Sequence, residues 1–169
     1  MQAYAAEVVH EAIRTEAQAL ERYMHPGEGQ SITDLLESWS LQQLLEDAKD
    51  MAPTLCRFLR ELCISTKHKS ARRDTDLVLA TALSMLIQAR NERANLSQSV
   101  LCIYLLACGA SRSLFEVLHH AGFASSYSKA VRDIKQLKNE RLAKVAELAR
   151  TRAFMIVWDN LNIAFRVGV

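Results

Sequence analysis

Two stretches decide the fold class. They are Asp74-Thr-Asp-Leu-Val-Leu-Ala-Thr-Ala-Leu-Ser-Met-Leu-Ile-Gln-Ala-Arg90 and Asn95-Leu-Ser-Gln-Ser-Val-Leu-Cys-Ile-Tyr-Leu-Leu-Ala-Cys-Gly109. Both are too long for ordinary strands and apolar nearly all round, the pattern of helices covered by neighbours on several faces. Asp74 can cap the first, Asn95 or Ser97 the second, and Gly109 supplies a C-terminal stop. Their most apolar parts, Leu77 to Ile87 and Val100 to Cys108, are about half of the roughly 20 residues that span a bilayer. They are expected at the centre of a bundle, with no membrane partner.

Composition agrees. Of 169 residues, 5 are Gly, 2 are Pro and 50% are hydrophobic. So few turn formers exclude a sandwich or barrel, and the length allows one sizeable core or two small ones. The expected fold is mostly α: a multi-helix bundle with a helix-turn-helix-like unit and one C-terminal strand-like segment. Cys56, Cys63, Cys102 and Cys108 form no Cys-x-x-Cys pair and read as buried free thiols. The N-terminus lacks a secretory pattern, so an intracellular setting is expected.

The net charge of +2 conceals an asymmetry. Residues 1–50 carry 3 basic and 10 acidic side chains, and residues 51–169 carry 18 and 9. A basic C-terminal portion points to a polyanionic partner, and an acidic first helix docked on basic ones would account for the same numbers.

Towards the N-terminus, Val8/Val9, Ile13, Ala17, Leu20 and Tyr23/Met24 recur at helical spacing from Ala3 to Met24. His25-Pro26-Gly27-Glu28-Gly29 ends this helix and sets it off as an acidic arm. Ser31 with Asp34, and Ser40 with Gln43, are spaced as capping boxes for helices near 32–38 and 40–51. Pro53 opens a further helix through Ile64 with Leu55, Phe58, Leu59, Leu62 and Cys63 on one face. A basic loop follows, in which Lys67, Lys69, Arg72 and Arg73 could clamp phosphates or serve as a nuclear-import signal; a merely solvated loop gives the same composition.

Towards the C-terminus, Ser113 and Glu116 are spaced as a capping box for a short helix ending at Gly122. Ser125 or Ser126 can cap a long helix through about Arg150. Helix, glycine turn, helix is the outline of a helix-turn-helix, with Leu114, Val117, Leu118 and Phe123 packing under Val131 and Ile134. In that reading Ser125, Ser126, Ser128, Lys129, Arg132, Lys135, Lys138 and Arg141 face phosphates or base edges. An ordinary helical hairpin with a solvated polar face is the alternative. Lys138 and Arg141 break the heptad of Val131, Ile134, Val145 and Leu148, so the long helix is expected to pack on the bundle at both ends rather than zip with a second copy. His119 and His120 point about 100° apart on a helix and cannot share one metal unaided.

The segment Phe154-Met-Ile-Val-Trp-Asp159-Asn160 changes character. An apolar strand that delivers one Asp is how ribonuclease-H-like nucleases and transposases place their first metal carboxylate, and two-metal phosphoryl transfer needs several such groups. Asp159-Asn160 simply ending a strand in a turn is the alternative.

The string Trp158-Asp159-Asn160-Leu161-Asn162 resembles a large family of uncharacterised proteins of mushroom-forming fungi that derive from transposable elements. So do Ser97 to Gly109, Ser113 to Phe123, Ser126-Tyr127-Ser128 and Ile134 to Leu137. The likeness spans about residues 75–168. It implies a helical region that leads into a ribonuclease-H-like domain with Asp159 as first carboxylate; with the pattern of the residues themselves, the expected division is an acidic helix or arm over 1–25, a helical bundle over 31–152 and the start of that domain over 153–169. The further acidic residues such a core needs are not in this sequence. The chain therefore reads as a non-catalytic, nuclear piece of a transposon-derived protein that binds DNA. It needs no cofactor of its own, and Mg²⁺ or Mn²⁺ would enter only with a complete nuclease core. A protein-interaction scaffold, self-associating or docking a missing C-terminal domain, and a metal-dependent nuclease are the alternatives.

Overall fold

The computed structural model describes residues 2–27, 29–63 and 74–153. Among them lie eight helices and no strand: α1 (Gln2–Tyr23), α2 (Ile32–Ser38), α3 (Leu41–Met51), α4 (Pro53–Cys63), α5 (Thr75–Arg90), α6 (Leu96–Ala107), α7 (Arg112–His120) and α8 (Tyr127–Thr151). The anticipated strand Phe154–Asn160 lies outside the described residues.

Local chemistry sets most helix starts. The hydroxyls of Ser31, Ser40 and Ser126 and the carboxylate of Asp74 each accept a backbone N–H two or three residues on, satisfying a donor with no intrahelical partner. Asn95 precedes α6 without a side-chain cap bond. The cap of α7 is Ser111, not Ser113: Ser111 Oγ accepts the Leu114 N–H, and Glu116 pairs instead with Arg112 at 3.3 Å.

Two cores form. In the first, Ala17, Leu20 and Met24 of the α1 end meet Leu44, Leu45 and Ala48 of α3, Cys56 of α4, and Leu79, Ala80, Leu83 and Ile87 of α5. The second gathers Cys102 of α6, Phe115 of α7, Ala124 of the α7–α8 connection and Ala130 of α8. The expectation that α5 and α6 together make one centre is thus corrected. On their facing sides Ser84 Oγ and Ser97 Oγ lie 3.1 Å apart, and the Gln98 amide donates to the Ser84 carbonyl at 3.1 Å. Buried polar groups must pair, so these helices meet through hydrogen bonds while their apolar ridges go to separate clusters. Leu77, Val78, Leu86 and Tyr104 remain exposed.

Three further expectations change. On α4, Cys56 enters the core with Leu55 and Leu59 beside it, whereas Phe58 and Leu62 are exposed. Cys63 and Cys108 are exposed; only Cys56 and Cys102 are buried. The long α8 packs on α2, α6 and α7, but residues 141–148 are exposed on every side, so it does not dock at both ends.

Carboxylates far away in sequence lock helices together. Glu16 of α1 accepts the N–H groups of Thr54 and Leu55 at 3.1 and 2.8 Å, closing the start of α4. The Asn91 amide and the Arg90 guanidinium, bonded to Glu21, hold its carboxyl below the usual range and tie α1 to the end of α5.

Candidate nucleic-acid interface

The α7–α8 unit is built on Phe115. Its ring is fully buried and meets Tyr127 edge to face, with centroids 5.4 Å apart. Leu118 joins it, whereas Leu114 and Val117, the residues periodicity puts under the second helix, are exposed. Six residues, 121–126, connect the helices, more than the three or four of a helix-turn-helix. Gly122 turns there at φ +72°, and Cys102 Sγ accepts the Ser125 N–H at 3.2 Å, anchoring the connection to α6. Burial pushes the Cys102 thiol up, so it stays a neutral packing group.

The candidate phosphate ligands separate into distinct roles. Ser125 is buried and cannot face a solvent-borne partner. Ser126 caps α8. Lys129 points inward, its ammonium 2.8 Å from buried Asp133 and 2.7 Å from Ser99 Oγ. Arg141 reaches Glu37 of α2 at 3.1 Å. That leaves Ser128, Arg132, Lys135 and Lys138 exposed along the first half of α8. Lys67, Lys69, Arg72, Arg73 and Asp159 lie outside the described residues.

Beside the start of α8 opens a polar cleft of about 420 Å³, lined by Gln88 and Glu92 of the α5 end, His119 and His120 of α7, and Lys129 and Arg132. His119 Nδ1 meets the Ala124 carbonyl at 3.2 Å, and His120 Nδ1 the Glu116 carbonyl at 2.7 Å. A carbonyl only accepts, so both Nδ1 atoms donate and each Nε2 is the nitrogen without a backbone partner. No sequence spacing links Gln88 to His119; the cleft exists only because α5 and the α7–α8 turn are neighbours.

Among the described residues no three His, Cys, Asp or Glu side chains are grouped to hold a metal ion. No helix among them is long and apolar enough to cross a membrane. No protein-family model matches the chain, and no curated protein and no solved structure matches it.

Proposed function

We propose that this helical bundle binds a nucleic-acid backbone through the first half of α8, without catalysis of its own. One observation carries the reading: Arg132, Lys135 and Lys138 are exposed at successive turns, and none joins an ion pair among the described residues. They span about 9 Å of helix axis, over which a duplex strand presents two to three phosphates at one per ~3.4 Å. Ser128 adds a hydroxyl on the same stretch, and the N-terminal end of α8 adds a favourable dipole. The resemblance to fungal transposon-derived proteins supports the same reading and a nuclear location.

Fluorescence anisotropy with a labelled duplex tests it. Affinity should fall linearly with salt on a log–log plot, with a slope near −0.9 for each phosphate neutralised. Changing Arg132, Lys135 and Lys138 together to Ala should flatten that slope by about 2 to 3. Absence of binding at low salt would remove the proposal.

A second reading rests on the other half of α8. Leu142, Val145 and Leu148 are exposed at helical spacing on a segment that nothing described covers. A helix end carrying apolar side chains gains most of its stability from a packed face. The occupant of fitting chemistry is the first half of α1 in a second copy, which exposes Tyr4, Val8 and Val9 beside Glu7 and Glu11 against Lys144 and Arg150. Light scattering that gives a salt-sensitive oligomer, made monomeric by Val145→Glu, would establish it; a monomer at high concentration would dismiss it.

A further inference from the structure

Arg132 stands at a junction, because it heads the exposed row on α8 and also lines the polar cleft of about 420 Å³ between the α5 end and the α7–α8 turn. Glu92, His119 and His120 line the same cleft, and like Arg132 they are exposed, so a ligand there can reach them. Neither Glu92 nor Arg132 joins an ion pair among the described residues, which leaves both free to turn their charged ends into the cleft. Lys129 is a lining residue too, but Asp133 holds its ammonium at 2.8 Å. The two imidazoles are fixed through Nδ1 on backbone carbonyls, with ring centroids 6.0 Å apart and planes tilted by 67°. A flat ligand can stack on only one of them, which leaves the other's Nε2 for a hydrogen bond. This is a mixed set of groups: a bare phosphate would leave the carboxylate unused, and an apolar ring would leave the guanidinium unused.

We propose that the cleft takes a single nucleotide, its phosphate on Arg132, its base against His119 or His120, and an amino group of the base donating to Glu92. The chemistry matches part by part. A guanidinium holds phosphate through charge-assisted hydrogen bonds, and an unstacked base rests on a ring while its edge is read by polar groups. A carboxylate only accepts, so it favours cytosine, with its amino group, over uracil, which presents a carbonyl at the same place. The volume of about 420 Å³ lies within the range of small-ligand sites, roughly 300–1,000 Å³. A paired duplex is too large to enter, whereas the unpaired end of a strand or a free nucleotide fits. The strand-end form of the proposal rests on the nucleic-acid reading, since the row from Arg132 to Lys138 would then carry the rest of the backbone.

Calorimetric titration of the full chain with cytidine monophosphate, uridine monophosphate and cytidine tests it. The cytidine nucleotide should bind about tenfold tighter than the uridine nucleotide, and Glu92→Gln should level the two. It should also bind about tenfold tighter than cytidine, a difference that Arg132→Ala should remove. Both residues are exposed, so both variants should keep the circular-dichroism spectrum of the unaltered protein. Anisotropy with a duplex carrying one unpaired cytosine, set against the blunt duplex, separates the two sources: tighter binding of the overhang assigns the cleft to a strand end, and equal binding assigns it to a free nucleotide. Equal affinities for the two nucleotides, binding of neither, or inorganic phosphate competing as well as the cytidine nucleotide would overturn the proposal. If those failures come with a duplex still bound at the salt slope of phosphate contacts, the backbone reading stands. Nucleotide binding without duplex binding removes that reading and leaves the cleft to a free nucleotide.

Discussion

Glu140 on α8 accepts the backbone N–H of Thr33 at 2.9 Å, and with it the Ile32 N–H and the Ser31 hydroxyl, so one carboxylate closes the start of a helix 107 positions away. Desolvation by itself would raise its pKa. The hydrogen bonds from the Thr33 N–H, the Gln136 amide, Ser31 and the Ile32 N–H outweigh that and hold it at about 2. A carboxyl depressed by folding stabilises the fold fully above its ordinary value near 4.5, and loses that contribution as pH falls from there towards 2. Glu140→Gln should cost about 1–3 kcal/mol at neutral pH in urea unfolding. Its deficit relative to the unaltered protein should shrink steadily below pH 4.5; a pH-independent deficit would contradict the assignment.

Phe115 and Val117 lie two residues apart and should behave oppositely. Phe115→Ala opens a hole in the second core and should cost about 3–5 kcal/mol. Val117→Ala changes a side chain that is 66% exposed and should stay within about 0.5 kcal/mol. Thermal melts of the two variants read this directly.

Lys129 and Arg132 separate stability from binding. Removing Lys129 leaves Asp133, only 7% exposed, without its cation, so Lys129→Ala should destabilise by about 1–3 kcal/mol. Arg132→Ala should leave unfolding nearly unchanged while reducing the salt slope of DNA binding by about 0.9. Equal effects of the two on the slope would argue against the inward role of Lys129.

Tyr23 donates to Asp47 of α3. Burial, then that bond and the nearby Asp47 charge, push its phenol up to about 12. Its folded value lies above the ordinary 10, so its contribution is complete below pH 10 and disappears as pH rises through 12. Tyrosinate absorbance should show a phenol titrating near pH 12 that is missing in Tyr23→Phe.

The thiols divide two and two. Cys63 and Cys108 are exposed and should react rapidly with an aromatic disulfide reagent. Cys56 and Cys102 are buried and, through desolvation above all, have raised pKa values, so they should react only on the timescale of unfolding.

What could be read from the sequence follows the range of the interaction concerned. Ser31, Ser40, Asp74 and Ser126 cap helices through atoms two or three residues away, and their spacing shows it. Ser113 and Glu116 fit the same pattern, but Ser111 takes the cap, because the backbone is extended at Ser111 and Glu116 pairs with Arg112. Periodicity also mistook which side of α7 is inside. Leu114 and Val117 recur at helical spacing as regularly as Phe115 and Leu118, and only the position of α8 chooses between them.

The candidate interface shows the same division. A basic α8 was evident from the residues, but not which cations stay in solvent. Asp133 and Glu37 take two of them, one from the same helix and one from a helix about a hundred positions earlier. The cleft at Gln88 and His119 had no signal in the sequence at all.

The amino-acid order by itself determined that the chain is helical, where most helices begin and stop, and that its second part is basic, because propensity, capping and charge act between near neighbours. Only the tertiary structure decided that there are two cores instead of one, that Glu16 and Glu140 seal distant helices, and that a polar cleft opens beside the start of α8. Those outcomes depend on which surfaces meet, and burial rewards any apolar face alike until the buried polar groups have found partners.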